Sequence, residues 1–332
     1  MPKIITLKDN GVPKNKQIVE SIIKAIQNGE IKLNDKLPSI NSIRQRFAVS
    51  RDTVLSAYNV LKMRGIIQSV AGKGYYLVND NIKVEQKIFL LFDELNPFKE
   101  YLYNSFLKKL DKNIDVDIFF HHFNFDVFRN TILNNKGKYS KYIIMPANLK
   151  NTSSVLQHLN KEQVIILDQL PKDLNGYCTI YQNFAKGISN GLKSMVSRIA
   201  KYQSINLVFD SNKQPIGILN GFTSFCVECN ISYNVYKSTH QLNIEKEKVY
   251  MTLDDASLIS IIKEAKSKQL IIGADIGIIA YNETPLKEVI ANGITSISTD
   301  FKKMGEILKD LVYNKNILSI ENDCNVHLRN SL

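Results

Sequence analysis

Most of this chain follows one repeating pattern, in which short apolar runs alternate with amphipathic stretches. We interpret the apolar runs from Ile88 onward as strands: Ile88–Phe92, Val116–Phe120, Tyr142–Met145, Val164–Leu167, Asn206–Phe209, Val249–Leu253, Gln269–Gly273 and Ile294–Ser296. Amphipathic stretches such as Lys99–Leu110, Asn183–Ile199 and Ser257–Lys266 separate most of them. The runs are apolar throughout, as strands buried on both faces should be. The pattern therefore predicts an α/β fold with parallel sheets, helices on both faces and two Rossmann-like lobes.

The first eighty residues have a different pattern. Apolar residues at helical spacing predict a helix over residues 14–28 and a second, short helix over Ser39–Phe47. Ser50 is a suitable N-cap for a third helix, and Gly65 is a suitable stop. Two strand-like runs, Ile66–Val70 and Tyr75–Val78, then flank a glycine-containing turn. This order predicts a helix-turn-helix followed by a hairpin, which is a winged helix.

Positive charge is concentrated in the same segment. The 332 residues include 43 Lys+Arg and 32 Asp+Glu, for a net charge of +11. The first eighty residues hold 13 basic and six acidic side chains, so they carry +7 of that charge. A basic N-terminal segment with a winged-helix pattern favours a polyanionic partner such as DNA.

Five short motifs occur in one order across this segment: Leu37-Pro38-Ser39, Val49–Val54, Ala57-Tyr58, Arg64–Ile67 and Gly72–Tyr75. Together they resemble the GntR family of bacterial transcription regulators. The resemblance implies that operator DNA is contacted by Ser39, Asn41, Arg44, Ser50, Arg51, Thr53, Arg64, Gly72 and Lys73. Asn41 stands where the family often has an Arg, so Arg44 and Arg46 on the same helix are candidates to replace that contact.

The second part of the chain resembles the periplasmic-binding-protein-like domain of the lac and galactose repressor family. The resemblance depends on Asn96–Phe98, Ile166–Asp168, Gly221-Phe222, Leu253–Ala256 and Gly273–Asp275, and on His327–Ser331 as a closing strand. A GntR-type head on such a domain resembles the arrangement of the bacterial arabinose repressor.

This second resemblance implies an effector cleft. Asn96, Phe98, Asp168, Asp254 and Asp275 are the candidate contacts, because sugars need apolar faces together with carboxylate or amide groups. An Asp at a strand end is also a common helix N-cap, so both interpretations stay open for these residues. Ile218 stands where the family commonly has a ligand-gripping Arg.

Other signals are weak. Cys226 and Cys229 form a CxxC without a second Cys or His pair, so we interpret them as ordinary helical cysteines and expect no metal. The sequence has no P-loop, no dinucleotide-binding GxGxxG and no nucleophile elbow. We therefore expect that the protein binds no cofactor and is not an enzyme. The N-terminus does not resemble a signal peptide and no long apolar run occurs, so we expect a cytoplasmic protein that does not contact the membrane.

These observations predict a DNA-binding domain over residues 1–79, a linker over 80–87 and an effector-binding and dimerisation domain over 88–332. The favoured function is a homodimeric regulator that represses sugar-utilisation genes until a monosaccharide, such as an arabinose- or fucose-like sugar, binds. Two alternatives are a binding protein of transport or chemotaxis type and a sugar-modifying enzyme with a DNA-binding head. The DNA-binding head and the lack of a signal peptide argue against the first, and measured sugar turnover would favour the second.

Overall fold

The N-terminal part of the chain folds into three helices and a hairpin. The computed structural model describes residues 4–9, 11–82, 86–313 and 319–332. The head elements are α1 (Lys14–Gln27), α2 (Ile40–Phe47), α3 (Arg51–Met63), β1 (Ile67–Val70) and β2 (Gly74–Leu77). The strands β1 and β2 pair antiparallel, and a bridge between Lys36 and Tyr76 adds a third backbone segment. The winged helix predicted from the sequence is confirmed.

Tyr58 fixes the packing of α3 in this head. Its side chain is buried, its hydroxyl donates to the Pro38 carbonyl oxygen at 2.6 Å, and its ring meets Tyr75 edge-on at 4.7 Å. Burial raises the pKa of the Tyr58 phenol, so the group remains a hydrogen-bond donor. The contact ties the recognition helix to the start of α2.

We expect Tyr58→Phe to lower the free energy of unfolding of the head by about 1–2 kcal/mol, because the Pro38 carbonyl loses its buried donor. Denaturant-dependent hydrogen exchange of α2 and α3 in the full chain measures this loss. Tyr76→Phe is the matched control, because that half-buried tyrosine has no side-chain hydrogen bond in the described structure. Equal protection in the two variants would contradict the assignment.

The rest of the chain forms two six-stranded sheets with helices between the strands. The strands are β3 (Gln86–Phe92), β4 (Ile114–Phe120), β5 (Lys141–Ile144), β6 (Val164–Asp168), β7 (Cys178–Gln182), β8 (Ser204–Val208), β9 (Tyr233–Tyr236), β10 (Lys248–Thr252), β11 (Ile276–Tyr281), β12 (Thr295–Thr299), β13 (Ser319–Asn322) and β14 (Cys324–His327). The helices are α4 (Pro97–Lys109), α5 (Phe125–Asn134), α6 (Ser153–Leu156), α7 (Phe184–Ser194), α8 (Val196–Ile199), α9 (Ile216–Glu228), α10 (Asp255–Ser267), α11 (Pro285–Val289) and α12 (Phe301–Tyr313).

The first sheet has the strand order β13-β7-β6-β5-β3-β4, and the second has the order β14-β12-β11-β10-β8-β9. Strands β3, β4 and β5 pair in parallel, as do β8 to β12, whereas β14 runs antiparallel to β12. The α/β fold and its two sheets are therefore as predicted.

Contacts divide the chain into two compact units. The first contains the head together with β3, β4, β5, α5 and α6, and the second contains α4 and all elements from β7 onward. Strand β6 contributes residues to both. The core of the second unit includes Leu192, Ile205, Phe222, Phe225 and Met251, all of which are buried.

The structure corrects the sequence interpretation at three places. The run Gln269–Gly273 is a turn rather than a strand, with positive φ at Gln269 (56°) and Gly273 (89°), and the strand is β11. The closing strand is β14, which ends at His327 instead of beginning there. Strand β3 begins at Gln86, inside the predicted linker, and residues 83–85 of that linker lie outside the described residues.

No helix in the described parts of the chain is long and apolar enough to span a membrane.

Candidate functional site

Helix α3 begins with a side-chain cap that orients its first turn. The Ser50 hydroxyl oxygen accepts from the Thr53 backbone N–H at 3.1 Å and lies 2.8 Å from the Thr53 hydroxyl. Arg51 is the first residue of the helix and is exposed. A recognition helix uses this end to reach base edges in the major groove. The structure therefore brings Ser50, Arg51 and Thr53 together at one helix end.

Helix α2 has a similar cap, because the Ser39 hydroxyl oxygen accepts from the Ser42 N–H at 3.1 Å. On its exposed face, the Arg44 guanidinium lies 3.5 Å from the Asn41 side-chain oxygen. Asn41 and Arg44 border a surface hollow of about 420 Å³ beside the turn into α3. Arg44 therefore lies next to the position where the family often has an Arg.

The hairpin carries an open, basic tip. Gly72 has φ +70°, and no atom lies within 4 Å of the position that a Cβ would take. Lys73 is exposed next to it. A side chain at Gly72 would meet no steric obstacle, so this glycine is needed for the backbone conformation. The tip leaves Lys73 accessible to a phosphate.

Arg64 lies apart from these groups. It follows α3 at the opposite end from Arg51, about 20 Å away along a helix of this length. The neighbouring Met63 sulfur lies 3.3 Å from the Gln163 side-chain nitrogen, so this end of α3 contacts the segment that precedes β6. The structure does not bring Arg64 together with the other candidate DNA contacts.

A cavity of about 530 Å³ lies within the second unit, beside the carboxyl ends of several strands. It is lined by Ala147–Leu149, Gln169–Pro171, Tyr181–Ala185 and Pro215–Gly217. The lining therefore combines four side-chain amides and a phenol with an apolar wall. Parallel sheets bind ligands at this edge. The surface suits an uncharged ligand that has both hydroxyl groups and an apolar face.

Asp168 is the predicted effector residue that lies closest to this cavity. It ends β6, has φ 77° and is buried, with an exposed fraction of 8%. Its carboxylate accepts from the side-chain amide of Gln182, which lines the cavity. Asp168 is therefore linked to the cavity wall through the side chain of Gln182.

Three other predicted effector residues have a structural role and do not line the cavity. Asp254 caps α10, with its carboxylate accepting from the Ser257 N–H and hydroxyl, both at 2.8 Å. The Asn96 side-chain oxygen accepts from the Lys99 N–H at 3.2 Å at the start of α4. Phe98 packs against Phe301, with ring centroids 4.9 Å apart.

The structure does not place Asp275 at the cavity. The residue precedes β11 and so lies at the amino-terminal edge of the sheet, opposite the edge where ligands bind. Its carboxylate accepts from the Ile271 N–H at 2.9 Å and from Lys246, and these contacts lower its pKa. The residue that follows β11 is Asn282, which is buried. Ile218 packs into the core of the second unit, where an Arg would not fit.

The sequence interpretation missed Gln182, Tyr281 and Thr299. Gln182 ends a short run, Cys178–Gln182, that was not recognised as a strand, and Tyr281 ends β11. The signal that could have found Tyr281 is the fully apolar run Ile276–Ala280 immediately before it.

No group of three or more His, Cys, Asp or Glu side chains that could hold a metal ion occurs among the residues the structure describes. Cys226 is buried, which raises the pKa of its thiol to about 12 and keeps it protonated. Cys229 is half-buried, and both are free thiols.

A winged helix-turn-helix followed by a two-sheet domain with a cavity is the architecture of bacterial transcription regulators that combine a DNA-binding head with a ligand-binding domain. The model of the family described as "Bacterial regulatory proteins, gntR family" matches residues 14–77, and the chain belongs to this family. It is 38% identical over 69 residues to the uncharacterized HTH-type transcriptional regulator YdfD of Bacillus subtilis. This alignment covers 21% of this chain and 14% of that protein. It is 30% identical over 89 residues to the HTH-type transcriptional repressor YtrA of the same organism, which covers 26% of this chain and 68% of that protein. The chain thus spans only a small part of the first of these relatives.

The two-sheet part is similar to solved regulator structures. A LacI family transcriptional regulator from Enterococcus faecium with bound ribose aligns with a TM-score of 0.60 and 17% identity over 74% of this chain and 98% of that one. The lac repressor dimer bound to operator and the anti-inducer ONPF aligns with a TM-score of 0.60 and 14% identity over 74% and 92%. At these identities the likeness establishes the periplasmic-binding-protein-like fold.

Proposed function

We propose that this protein is a transcription regulator that binds operator DNA through residues 1–79 and a small-molecule effector through residues 88–332. The observation that carries the proposal is the union, in one chain, of a gntR-type winged helix and a cleft at the carboxyl edge of a parallel sheet. Effector binding changes DNA affinity only if it favours one arrangement of the heads over another. We propose repression relieved by effector, as the resemblance to the repressor YtrA suggests.

DNA recognition in this proposal follows from the exposed end of α3. Arg51 reads base edges, and the hydroxyls of Ser50 and Thr53 at the same end bind phosphate. The start of α2 lies beside the major groove of the DNA, with contacts from its N-cap Ser39 and from Asn41 and Arg44. The hairpin tip at Gly72 and Lys73 contacts the DNA phosphate backbone. Arg64 is left out because it lies at the other end of α3.

We propose that the protein acts as a cytoplasmic homodimer. One recognition helix reads only a half-site, so specific recognition of an operator needs two heads at a fixed spacing. The lac repressor, whose fold resembles residues 88–332, was solved as a dimer on its operator. We assign the dimer contacts to the two-sheet part because it is the larger folded body.

For the effector we propose an uncharged monosaccharide of the arabinose or fucose type. The cavity offers the amides of Asn148, Gln169, Gln182 and Asn183 as hydrogen-bond partners for hydroxyls. Leu170, Phe184 and Ile216 supply an apolar wall for the face of a sugar ring. The similar regulator from Enterococcus faecium holds ribose.

A thermal-shift screen tests the effector proposal. The purified full chain is heated with L-arabinose, L-fucose, D-ribose or D-galactose, each with its mirror-image sugar as the control. A ligand present at about 100 times its Kd stabilises the folded state by about 2.7 kcal/mol, which raises the melting temperature by several degrees. One sugar should stabilise the protein and its mirror image should not. Unchanged melting with all of these sugars would overturn the monosaccharide assignment.

A further inference from the structure

The chain passes between the two sheets at three places, and the strand before each crossing ends in a polar residue. Gln182 ends β7 before α7, Thr299 ends β12 before α12, and Asn322 ends β13 before β14. Gln182 and Asn322 are partners in the ladder between β7 and β13. The Asn322 amide donates to the Asp300 carbonyl oxygen at 3.0 Å, and the Asp300 N–H donates to the Asp323 carbonyl oxygen at 3.0 Å. The three crossings are therefore bonded to one another.

The side chain of Gln182 connects four strand ends. Its carbonyl oxygen accepts from the Tyr281 hydroxyl at 3.1 Å and from the Thr299 hydroxyl. Its amide nitrogen donates to the Asp168 carboxylate. An ionised carboxylate can only accept, so Asp168 fixes which end of the Gln182 amide faces it, and the hydroxyls of Tyr281 and Thr299 meet the other end. One amide thus joins β6 and β7 of the first sheet to β11 and β12 of the second.

This group is shielded from water, yet it reaches the cavity. Asp168, Tyr281 and Thr299 are all buried, whereas Gln182 also lines the cavity. Because its partners are buried, losing the Gln182 amide would leave polar groups without water to replace it. A molecule that enters the cavity meets the same side chain that holds the crossings.

We propose that Gln182 is the positioning residue of the cleft: it holds the Asp168 carboxylate in place and transmits occupation of the cavity to the crossings between the sheets. The proposal rests on the function proposed above, because it assigns the cavity to an effector. A ligand that forms hydrogen bonds with Gln182 or Asp168 competes with the bonds to Tyr281 and Thr299. Binding then changes the hydrogen bonds that hold the three crossings to one another.

The first test replaces the amide by a carboxyl group. In Gln182→Glu, two carboxylates meet when both are ionised, and their repulsion raises the pKa of the pair in the folded state. A raised folded-state pKa means that the variant is stable at low pH, where the pair shares a proton, and loses stability as the pH rises. The other titratable groups near the network are Tyr281, Cys324 and the Lys186–Glu321 ion pair. Burial raises the pKa of Tyr281 and of Cys324, and the ion pair lowers the pKa of Glu321 and raises that of Lys186, so none of these groups titrates between pH 5 and pH 8.

We expect Gln182→Glu to melt about 5 °C below the unmodified protein at pH 8 and within about 1 °C of it at pH 5. Gln169→Glu is the matched control: Gln169 lines the same cavity, but its side chain forms no hydrogen bond in the described structure. For that control, the difference in melting temperature from the unmodified protein should be the same at pH 5 and pH 8. The proposal would be overturned if Gln182→Glu melted at the temperature of the unmodified protein, or if it melted lower by the same amount at both pH values.

The second test removes the hydrogen bonds without adding charge. Gln182→Met keeps the length of the side chain, and we expect the amides of residues 183–187 and 299–304 to exchange hydrogen at least about fivefold faster, because the crossings lose their common partner. Gln169→Met should leave these rates unchanged. Unaltered exchange in Gln182→Met would also overturn the proposal. Neither test contains a ligand, so failure of the sugar screen with success here would reject the effector class and keep Gln182 as the connecting residue.

Discussion

Replacing Arg51 with alanine is expected to weaken specific operator binding by about 100-fold or more. A bidentate Arg–base contact is worth about 1–3 kcal/mol of discrimination, and a homodimer would lose two of them. Arg51 is the first residue of α3 and is exposed, while the Ser50 cap fixes the backbone that carries it. The expected loss therefore comes from a missing contact rather than from a disturbed helix.

The measurement uses DNA sites selected by the unmodified protein from a random pool, with binding followed by fluorescence anisotropy at several salt concentrations. Arg64→Ala is the matched control, since it removes an Arg next to the other end of the same helix. We expect Arg64→Ala to change affinity less than about threefold, and both variants to keep the melting temperature. Equal losses in the two variants would show that Arg51 contributes only general positive charge.

Gly221→Ala is expected to destabilise the two-sheet part of the protein by about 3 kcal/mol, at the upper end of the usual cost of overpacking. A Cβ at this position would lie 2.3 Å from the Ala185 carbonyl oxygen and 2.9 Å from its Cα. Both obstacles are backbone atoms of α7, so they cannot move aside as a flexible side chain would. Helices α7 and α9, whose first residues line the cavity, would be pushed apart.

Thermal unfolding of the full chain measures the effect of Gly221→Ala. Gly187→Ala is the control on the facing helix, because its Cβ would meet only the Cys324 side chain, at 3.1 Å. We expect Gly187→Ala to cost less than about 1 kcal/mol, close to the value for volume-conserving changes in a core. The close contact between the helices would be refuted if Gly221→Ala melted at the temperature of the control.

The head could be predicted almost residue by residue because local signals determine it. Ser50 caps α3 as its sequence position indicated, and Gly65 follows α3 with φ +69°; Ser39, predicted as the first residue of the second helix, caps α2. A cap joins residues three positions apart, so the sequence contains both partners of each hydrogen bond. The apolar runs of the second part also predicted most of the strands.

The cleft could be predicted only in part. The position of Asp168 at the end of β6 could be predicted because an uninterrupted apolar run precedes it. Asp275 was misplaced because Gln269–Gly273 has the composition of a strand, yet folds as a turn that the Asp275 carboxylate closes through the Ile271 N–H. Composition alone does not distinguish an apolar turn from a short strand.

The sequence by itself determined the winged-helix head, its caps and exposed basic end, and the α/β class of the remainder. Only the tertiary structure decided which strand ends meet. Gln182 and Thr299 are 117 positions apart and bond because β7 and β12 both end at a crossing between the sheets. Such a contact depends on strand order and sheet pairing over the whole domain, which are set by the burial of apolar faces against one another and leave no local sequence signal.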